Sequence, residues 1–535
     1  MTVLLTRLAV LQAAIETVYA TPASVGVNDG LLVSDPKFMI KPNVLERNFV
    51  RQDLSPMPII IGRKVASIEF STELRGNGTQ NSGQLANSPL IARLFQACGY
   101  QLGANPTQSM LGPYIVGNAP TPVAWGVPTP VAASDVFTAT GEMNSGDVHV
   151  IGGQTYTMRT ALTPTVGEVL IGGSEAAGLT NLAAAINGAA GAGTTYATGT
   201  PVNAKVTAVA TGTTLTVTAI QAGTIGNSIG AAYTASGSSE GAWAHTHLQG
   251  GTNIAGNSDV IAYYLTVTTP GVSGTAQIKV TSDTTGEGDA AAVVTSGTPF
   301  TFGTMGASLS PTFTGSLVAG QQWVVWLLPT GLSLVPISQN FQSITISLHM
   351  DNVLHSMPGA FGTFEITAQA GDLATVKWTF TGNYVEPTDD ANPNPNFETE
   401  LPSQVQLARL TMNQFDAIVE KFSYNQGNDI QIRPDVSASD GYEGVRITAR
   451  KPEGGIDPEA DTVANQDFWG NFAAALRMPF QMRVGTDVGN TVWVFAPNTQ
   501  YSGMTYQDRN GILTYDAGLR FSRSIGNDEI AFFFC

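Results

Sequence analysis

Apolar and polar residues alternate with a period of two through many short runs, among them Ile68-Glu-Phe-Ser-Thr-Glu-Leu74, Thr375-Val-Lys-Trp-Thr-Phe-Thr381 and Leu519-Arg-Phe-Ser-Arg523. That period places every second side chain on one face, as in a half-buried β-strand. Clusters of Gly, Asn, Asp and Ser separate the runs and supply turns. Helical spacing is confined to a few segments. Ser88-Pro89 offers an N-cap followed by proline at the first helical position. Leu90, Ile91, Leu94, Phe95 and Cys98 then form one apolar face, and Gly99 can end the helix. Asn465-Gln-Asp467 precedes a second face of Phe468, Trp469, Phe472, Ala473 and Leu476, which Pro479 stops. Near the N-terminus, Leu4, Leu8, Leu11 and Ile15 share helical spacing and suggest a short amphipathic segment. It loosely resembles a secretory leader, but Gln12 and Glu16 interrupt the apolar run. The expected fold class is mainly β, as sandwich or half-barrel units with one flanking helix each.

The two helical faces coincide at a constant offset of 378 positions, and their surroundings repeat as well. A strand precedes each helix, Ile68–Leu74 in one case and Val445–Ala449 in the other. Gly/Asn/Asp-rich stretches, Gly76–Asn87 and Glu453–Asn465, link strand to helix. Downstream, Ile344–Leu348 answers Val492–Phe495. Gly362–Thr367 and Thr375–Thr381 answer Gly511–Tyr515 and Leu519–Arg523. These correspondences predict two copies of one sheet-plus-helix unit.

Charge marks what separates them. The chain has 41 acidic and 24 basic residues, and only ten and three of these lie between residues 123 and 337, leaving 31 and 21 outside. The uncharged zone reads as an insertion in the first copy. It divides in two. Residues 123–254 hold strands at Val148–Ile151 and Thr155–Arg159, a helix through Leu179, Leu182 and Ile186, and a hairpin turning at Thr211-Gly-Thr213. Residues 255–337 read as a second β-sandwich without a helix. The expected order is therefore 1–122 and 338–400 for the first unit, 123–254 and 255–337 for its inserts, and 401–535 for the second unit.

Several function classes fit the residues poorly. A net charge of −17 opposes the phosphate neutralisation that sequence-specific DNA binding needs. Two cysteines, Cys98 and Cys535, make no disulfide framework, which points to a reducing assembly site. No run of 18 apolar residues predicts a membrane span. His245-Thr-His247 lacks a third ligand beyond Glu240, and Asp390–Asn396 lacks the glycine and closing glutamate of a calcium loop. Gly237-Ser-Ser-Glu-Gly241 sits in a flexible stretch and not between strand and helix. No catalytic residue, cofactor or metal is expected.

Val44–Arg51, Pro58–Lys64, Phe70–Gly78, Ser88–Tyr100, Gly359–Phe364 and Trp378–Tyr384, taken in order, resemble the major tail tube proteins of long, non-contractile bacteriophage tails. The segment from about 146 to 254 is similar to β-rich modules of phage structural proteins. The resemblance implies six-fold rings whose inner strands close one β-barrel. Rings stack through extended loops and form a channel through which genome DNA passes unbound. Loops at Asp35–Met57, with Glu46, Arg47, Arg51 and Asp53, and at Asn425–Asp440, with Asp429, Arg433 and Asp435, would bridge successive rings. Leu90, Ile91, Leu94, Phe95, Phe468, Trp469, Phe472 and Leu476 would pack the helices. Two units per chain imply a homotrimeric, pseudo-six-fold ring; a true hexamer with the second unit outside is the alternative. Tape-measure, tail-terminator and tail-tip proteins would be partners, and the virion tail, assembled in the bacterial cytoplasm, the location. The insert would decorate the outside. Two competing readings are a tail-tip or adhesin protein that binds surface glycan or receptor through the insert, and a secreted hydrolase.

Overall fold

The computed structural model describes all residues except 1–7, 48, 51, 53, 54, 56, 79–84, 86, 87, 106–108, 117–130, 221–223, 252–258, 304–306, 310, 407, 439 and 488. Strands dominate, and the fold is mainly β. The chain forms two compact units. One comprises Met1–Ala124, Ser258–Thr298 and Pro311–Cys535, and the other Trp125–Asn257 with Pro299–Ser310.

The first unit is built on an 18-stranded sheet. Its first repeat contains β1 (Ala9–Ile15), β2 (Ser34–Leu45), β3 (Ile60–Glu73), β4 (Ile344–Met350), β5 (Val353–Gln369) and β6 (Thr375–Asn383). Its second contains β7 (Leu410–Met412), β8 (Val419–Asn425), a separate hairpin of β9 (Asn428–Pro434) and β10 (Tyr442–Arg450), then β11 (Glu453–Pro458), β12 (Met478–Val484), β13 (Val492–Arg509) and β14 (Ile512–Ser522). All the pairings are antiparallel. In the first repeat the order is β2-β3-β6-β5-β4-β1. In the second it is β8-β11-β14-β13-β12-β7. One order thus occurs twice, with a helix after β3 (Ile91–Ala97) and another after β11 (Phe468–Ala473).

The strand correspondences differ from those the pattern suggested. β12 answers β4 and β13 answers β5, so Val492–Phe495 belongs with the strand after Ile344–Leu348 and not with it. Val445–Ala449 lies in the β9–β10 hairpin, and the partner of Ile68–Leu74 is the glycine-bearing β11. Alternation looks alike in every strand, so it does not index them. Pro479 and Gly454-Gly455 disguise β12 and β11 as non-strand sequence.

A single core joins the repeats. Phe95 lies at the centre of the first, with ring centroids 4.8 Å from Phe364, 5.0 Å from Trp378 and 5.1 Å from Phe532. The first helix begins two residues later than the Ser88-Pro89 signal implied. Its N-cap residue is Leu90, whose N–H donates to the Glu398 carboxylate at 2.8 Å. A distant side chain replaces the local cap. Gly99 follows with φ +90°, as a helix stop requires. The second helix keeps its expected cap, Asp467 accepting from Gly470 N–H at 2.7 Å.

The N-terminal segment is a strand, not a helix. β1 is held between β4 and Gly30–Leu31, and Leu11, Gln12 and Ala13 are all buried. A short strand buried on both faces can imitate helical spacing. Leu4 lies outside the described residues.

Residues 258–298 and 311–337 share the first compact unit. Their sheet runs Asp289–Val293, Gln277–Ser282, Ile261–Thr269, Gln322–Leu328 and finally Ser109–Val116, a strand from the host side. Trp326 and Val324 pack against Phe495, Trp493 and Phe533 of the second repeat. Gly331–Pro336 belongs to the large sheet, paired with Tyr100–Asn105 and Ala531–Phe534.

The second unit contains two four-stranded sheets and the helix Glu175–Asn187. Ser174 caps that helix and Gly188, at φ +61°, ends it. The hairpin turning at Thr211–Thr213 forms as the sequence predicts. Among the described residues no helix is long and apolar enough to cross a membrane.

Candidate assembly surface

Eight strands of the large sheet form a continuous ribbon in the order β2-β3-β6-β5-β8-β11-β14-β13. Each repeat supplies four. The junction is β5–β8, where Glu365 to Gln369 oppose Asn425 to Lys421. One face of the ribbon is core: Phe70, Trp378, Phe364, Ile366, Tyr424, Ile456, Ala517 and Leu519 are buried.

The intervening residues make the opposite face, which is polar along its middle; toward one end Val65 and Phe361 lie on it and are covered by the β9–β10 hairpin. Glu69, Ser71 and Glu73 come from β3, Thr375, Lys377 and Thr379 from β6, and Thr363, Glu365 and Thr367 from β5. Lys421, Ser423 and Asn425 come from β8, Glu453, Gly455 and Asp457 from β11, and Asp516, Gly518 and Arg520 from β14. The six carboxylates among these residues are matched by cationic groups of the same face: Lys377, Lys421 and Arg520, with Lys37 and Lys41 of β2, opposite Glu69 and Val65, and Arg509 of β13, opposite Ile512. Cross-strand rows bind it together. Lys377 lies opposite Glu365, and Asn425 donates to Glu365 at 3.0 Å. Arg520 meets Glu453 at 3.0 Å. The Lys451 ammonium, 2.6 Å away, and Arg520 hold the Glu453 carboxyl below its usual range. Arg509 gathers Asp457 and Glu459 at 3.3 and 2.9 Å at the end of β13.

The ribbon has two open ends. β2 pairs with β3 and no other described strand. β13 pairs with β12 only as far as Thr499, so among the described strands the backbone of residues 500–509 ladders with β14 alone. An unpaired strand edge is a template for another strand.

The sequence-predicted bridging residues fall on two related hairpins. Asp429 and Arg433 lie on β9 and Asp435 just beyond it. That hairpin packs through Val445, Ile447, Ile430 and Ile432 on Val65, Phe361, Tyr19 and Phe341 of the first repeat. Tyr19 Oη donates to Val445 C=O at 3.0 Å and accepts from Val445 N–H at 2.7 Å. Arg433 pairs with Glu443 at 2.6 Å, and hydrogen bonds from the Ser437 hydroxyl and N–H lower the Asp435 pKa. Glu46 and Arg47 follow the end of β2 and are exposed; Arg47 lies over the Phe49 ring. Arg51 and Asp53 lie outside the described residues. Of the helix-packing residues, Ile91, Leu94, Phe95 and Phe468 are buried, and Leu90, Trp469 and Phe472 are partly so. Leu476 is past the end of its helix and 39 % exposed, because the helix stops at Ala473 and Ala475 turns the chain at φ +47°.

The residues weighed for metal chemistry make local contacts. His245 pairs with Asp135 at 2.9 Å and His349 with Asp390 at 3.2 Å. Among the described residues no group of three or more His, Cys, Asp or Glu side chains is placed to hold a metal.

The open edges are what sequence reasoning missed. No local signal marks them, because a strand's unpaired side has the same alternation as its paired side. Fold and surface together define a mainly β protein in which one sheet block occurs twice in a single polypeptide. No protein-family model matches the sequence, and no curated protein matches it.

Proposed function

We propose that this chain is the structural subunit of a tube, assembled from stacked rings, through which DNA passes in the tail of a long-tailed bacteriophage. The supporting observation is the eight-strand ribbon: two equivalent four-strand blocks, a largely polar face on which carboxylates and cations balance, and an open edge at each end. A ribbon that ends in unpaired edges is completed by other copies of itself, and closure into a barrel removes the edges. Three chains would supply six blocks. Twenty-four strands at ~4.8 Å spacing and ordinary tilt give a barrel roughly 40–50 Å across between backbones, which leaves room for a DNA duplex. The face that would line that bore pairs its cations with carboxylates, and the chain's net charge is −17, so no basic stripe would hold phosphate and DNA would slide and not bind.

Electron microscopy of the purified chain tests the reading. Rings or tubes with an axial hole and pseudo-six-fold symmetry are expected. Particles without a hole, or only monomers at every concentration, would exclude it.

A further inference from the structure

Within the chain, one repeat already shows how it receives another. β8 adds to the edge of β5, with Tyr424 opposite Ile366 and each only 2 % exposed. The β9–β10 hairpin then continues across the first repeat. The strands equivalent to β8 and β5 are β2 and β13, the two that carry open edges.

With Phe380 of β6 matched to Leu519 of β14, both fully buried, the ladders carry the equivalence across the sheet and match Ile68 with Gly454 and Val376 with Tyr515. Phe38 lies opposite Ile68 as Tyr424 lies opposite Gly454. Tyr506 lies opposite Tyr515 as Ile366 lies opposite Val376. The counterpart of the buried Ile366–Tyr424 pair is therefore Tyr506–Phe38, and within one chain Tyr506 is 56 % exposed. The hairpins show the same contrast. β9–β10 is packed, whereas the equivalent end of β2–β3 leaves Ile40, Val44, Leu45, Ile60 and Ile61 between 43 and 50 % exposed.

We propose that β2 of one chain adds antiparallel to the 503–508 edge of β13 in a second copy, with Phe38 opposite Tyr506, and that the β2–β3 hairpin end clasps that neighbour's second repeat. The inference rests on the ring reading. It makes the hairpin a lateral clasp within a ring and not a bridge between rings. The intramolecular joint is its template, and the exposed apolar residues are those whose counterparts that joint buries.

Paired cysteines test the register. Facing residues on antiparallel strands lie within disulfide reach. Phe38→Cys combined with Tyr506→Cys should give, on mild oxidation, a ladder of cross-linked chains that stops at one closed ring. Phe38→Cys with Ile512→Cys should give none. Leu45→Lys with Ile60→Asp removes the apolar surface at two half-exposed positions that face each other, and sets opposite charges side by side within the hairpin. It should leave the monomer's melting unchanged and raise the concentration needed for assembly about 100-fold. Holed particles without the Phe38–Tyr506 link, or a ladder that extends without limit along the axis, would overturn the clasp and leave the tube reading standing. A wild-type chain that forms no particles would remove both.

Discussion

Glu16 is a buried carboxylate, 7 % exposed, that holds three parts of the first repeat together. It accepts from Ser343 Oγ at 2.6 Å, Thr345 Oγ1 at 2.7 Å, Gly359 N–H at 2.7 Å and Ala20 N–H at 2.9 Å. Glu16→Ala would strand those donors and should cost about 3 kcal/mol, read as a lower urea midpoint. Asp147 and His149 act on the second unit. Burial works to raise the Asp147 carboxyl, but hydrogen bonds from Ser236, Asn144 and Tyr233 prevail and leave it below its ordinary value. Burial among Phe137, Tyr233 and Trp243 pushes His149 down to about 4. Both groups bind protons more readily unfolded than folded, so both make stability fall with falling pH. The histidine contribution disappears between its ordinary pKa of ~6.5 and about 4, and the aspartate contribution is lost below that. The second unit should therefore melt at lower temperature at pH 4.5 than at pH 7, followed by Trp243 fluorescence. His149→Phe should flatten the dependence above pH 4.

At the scale of elements, the two helices share a place in the order but not a burial. Phe95 contacts five aromatic rings and is 0 % exposed, whereas Trp469 lies at the rim against Tyr506 and Tyr515. Phe95→Ala should destabilise the chain by about 3–5 kcal/mol and Trp469→Ala by clearly less, as chemical denaturation would show. Gly444, at φ +129°, passes so close to Tyr19 that a Cβ there would overlap its ring. Gly444→Ala should lift the β9–β10 hairpin and speed proteolysis around residues 435–441. The β class, the helical faces and the existence of a duplication were legible in the residues, because alternation and 3.6-residue spacing are local. The pairing of strands was not. Which alternating run lies beside which depends on contacts hundreds of positions apart, such as β3 with β6, and on strands like β12 whose proline hides them. The candidate surface was legible only as a surplus of acidic residues in the chain as a whole; the residues at the ribbon's open edges, Tyr506 among them, carry no sequence mark.

At the scale of the molecule, the second compact unit has its own core of Phe137, Tyr156, Leu179, Leu182 and Leu215. If the ribbon carries assembly, replacing residues 131–251 with a short Gly/Ser linker should leave rings with the same hole in micrographs; loss of rings would tie assembly to the insert. The fused repeats bear on how such a particle grows. In a ring of three such chains half of the block-to-block joints would form inside one polypeptide, where the effective concentration of one block around the other does not depend on how much protein is present. Only the remaining half respond to dilution, so nucleation should show a low reaction order in subunit. Blocks supplied in twos would also forbid closure on an odd number, which would remove five- and seven-membered rings from the ways such a particle can go wrong.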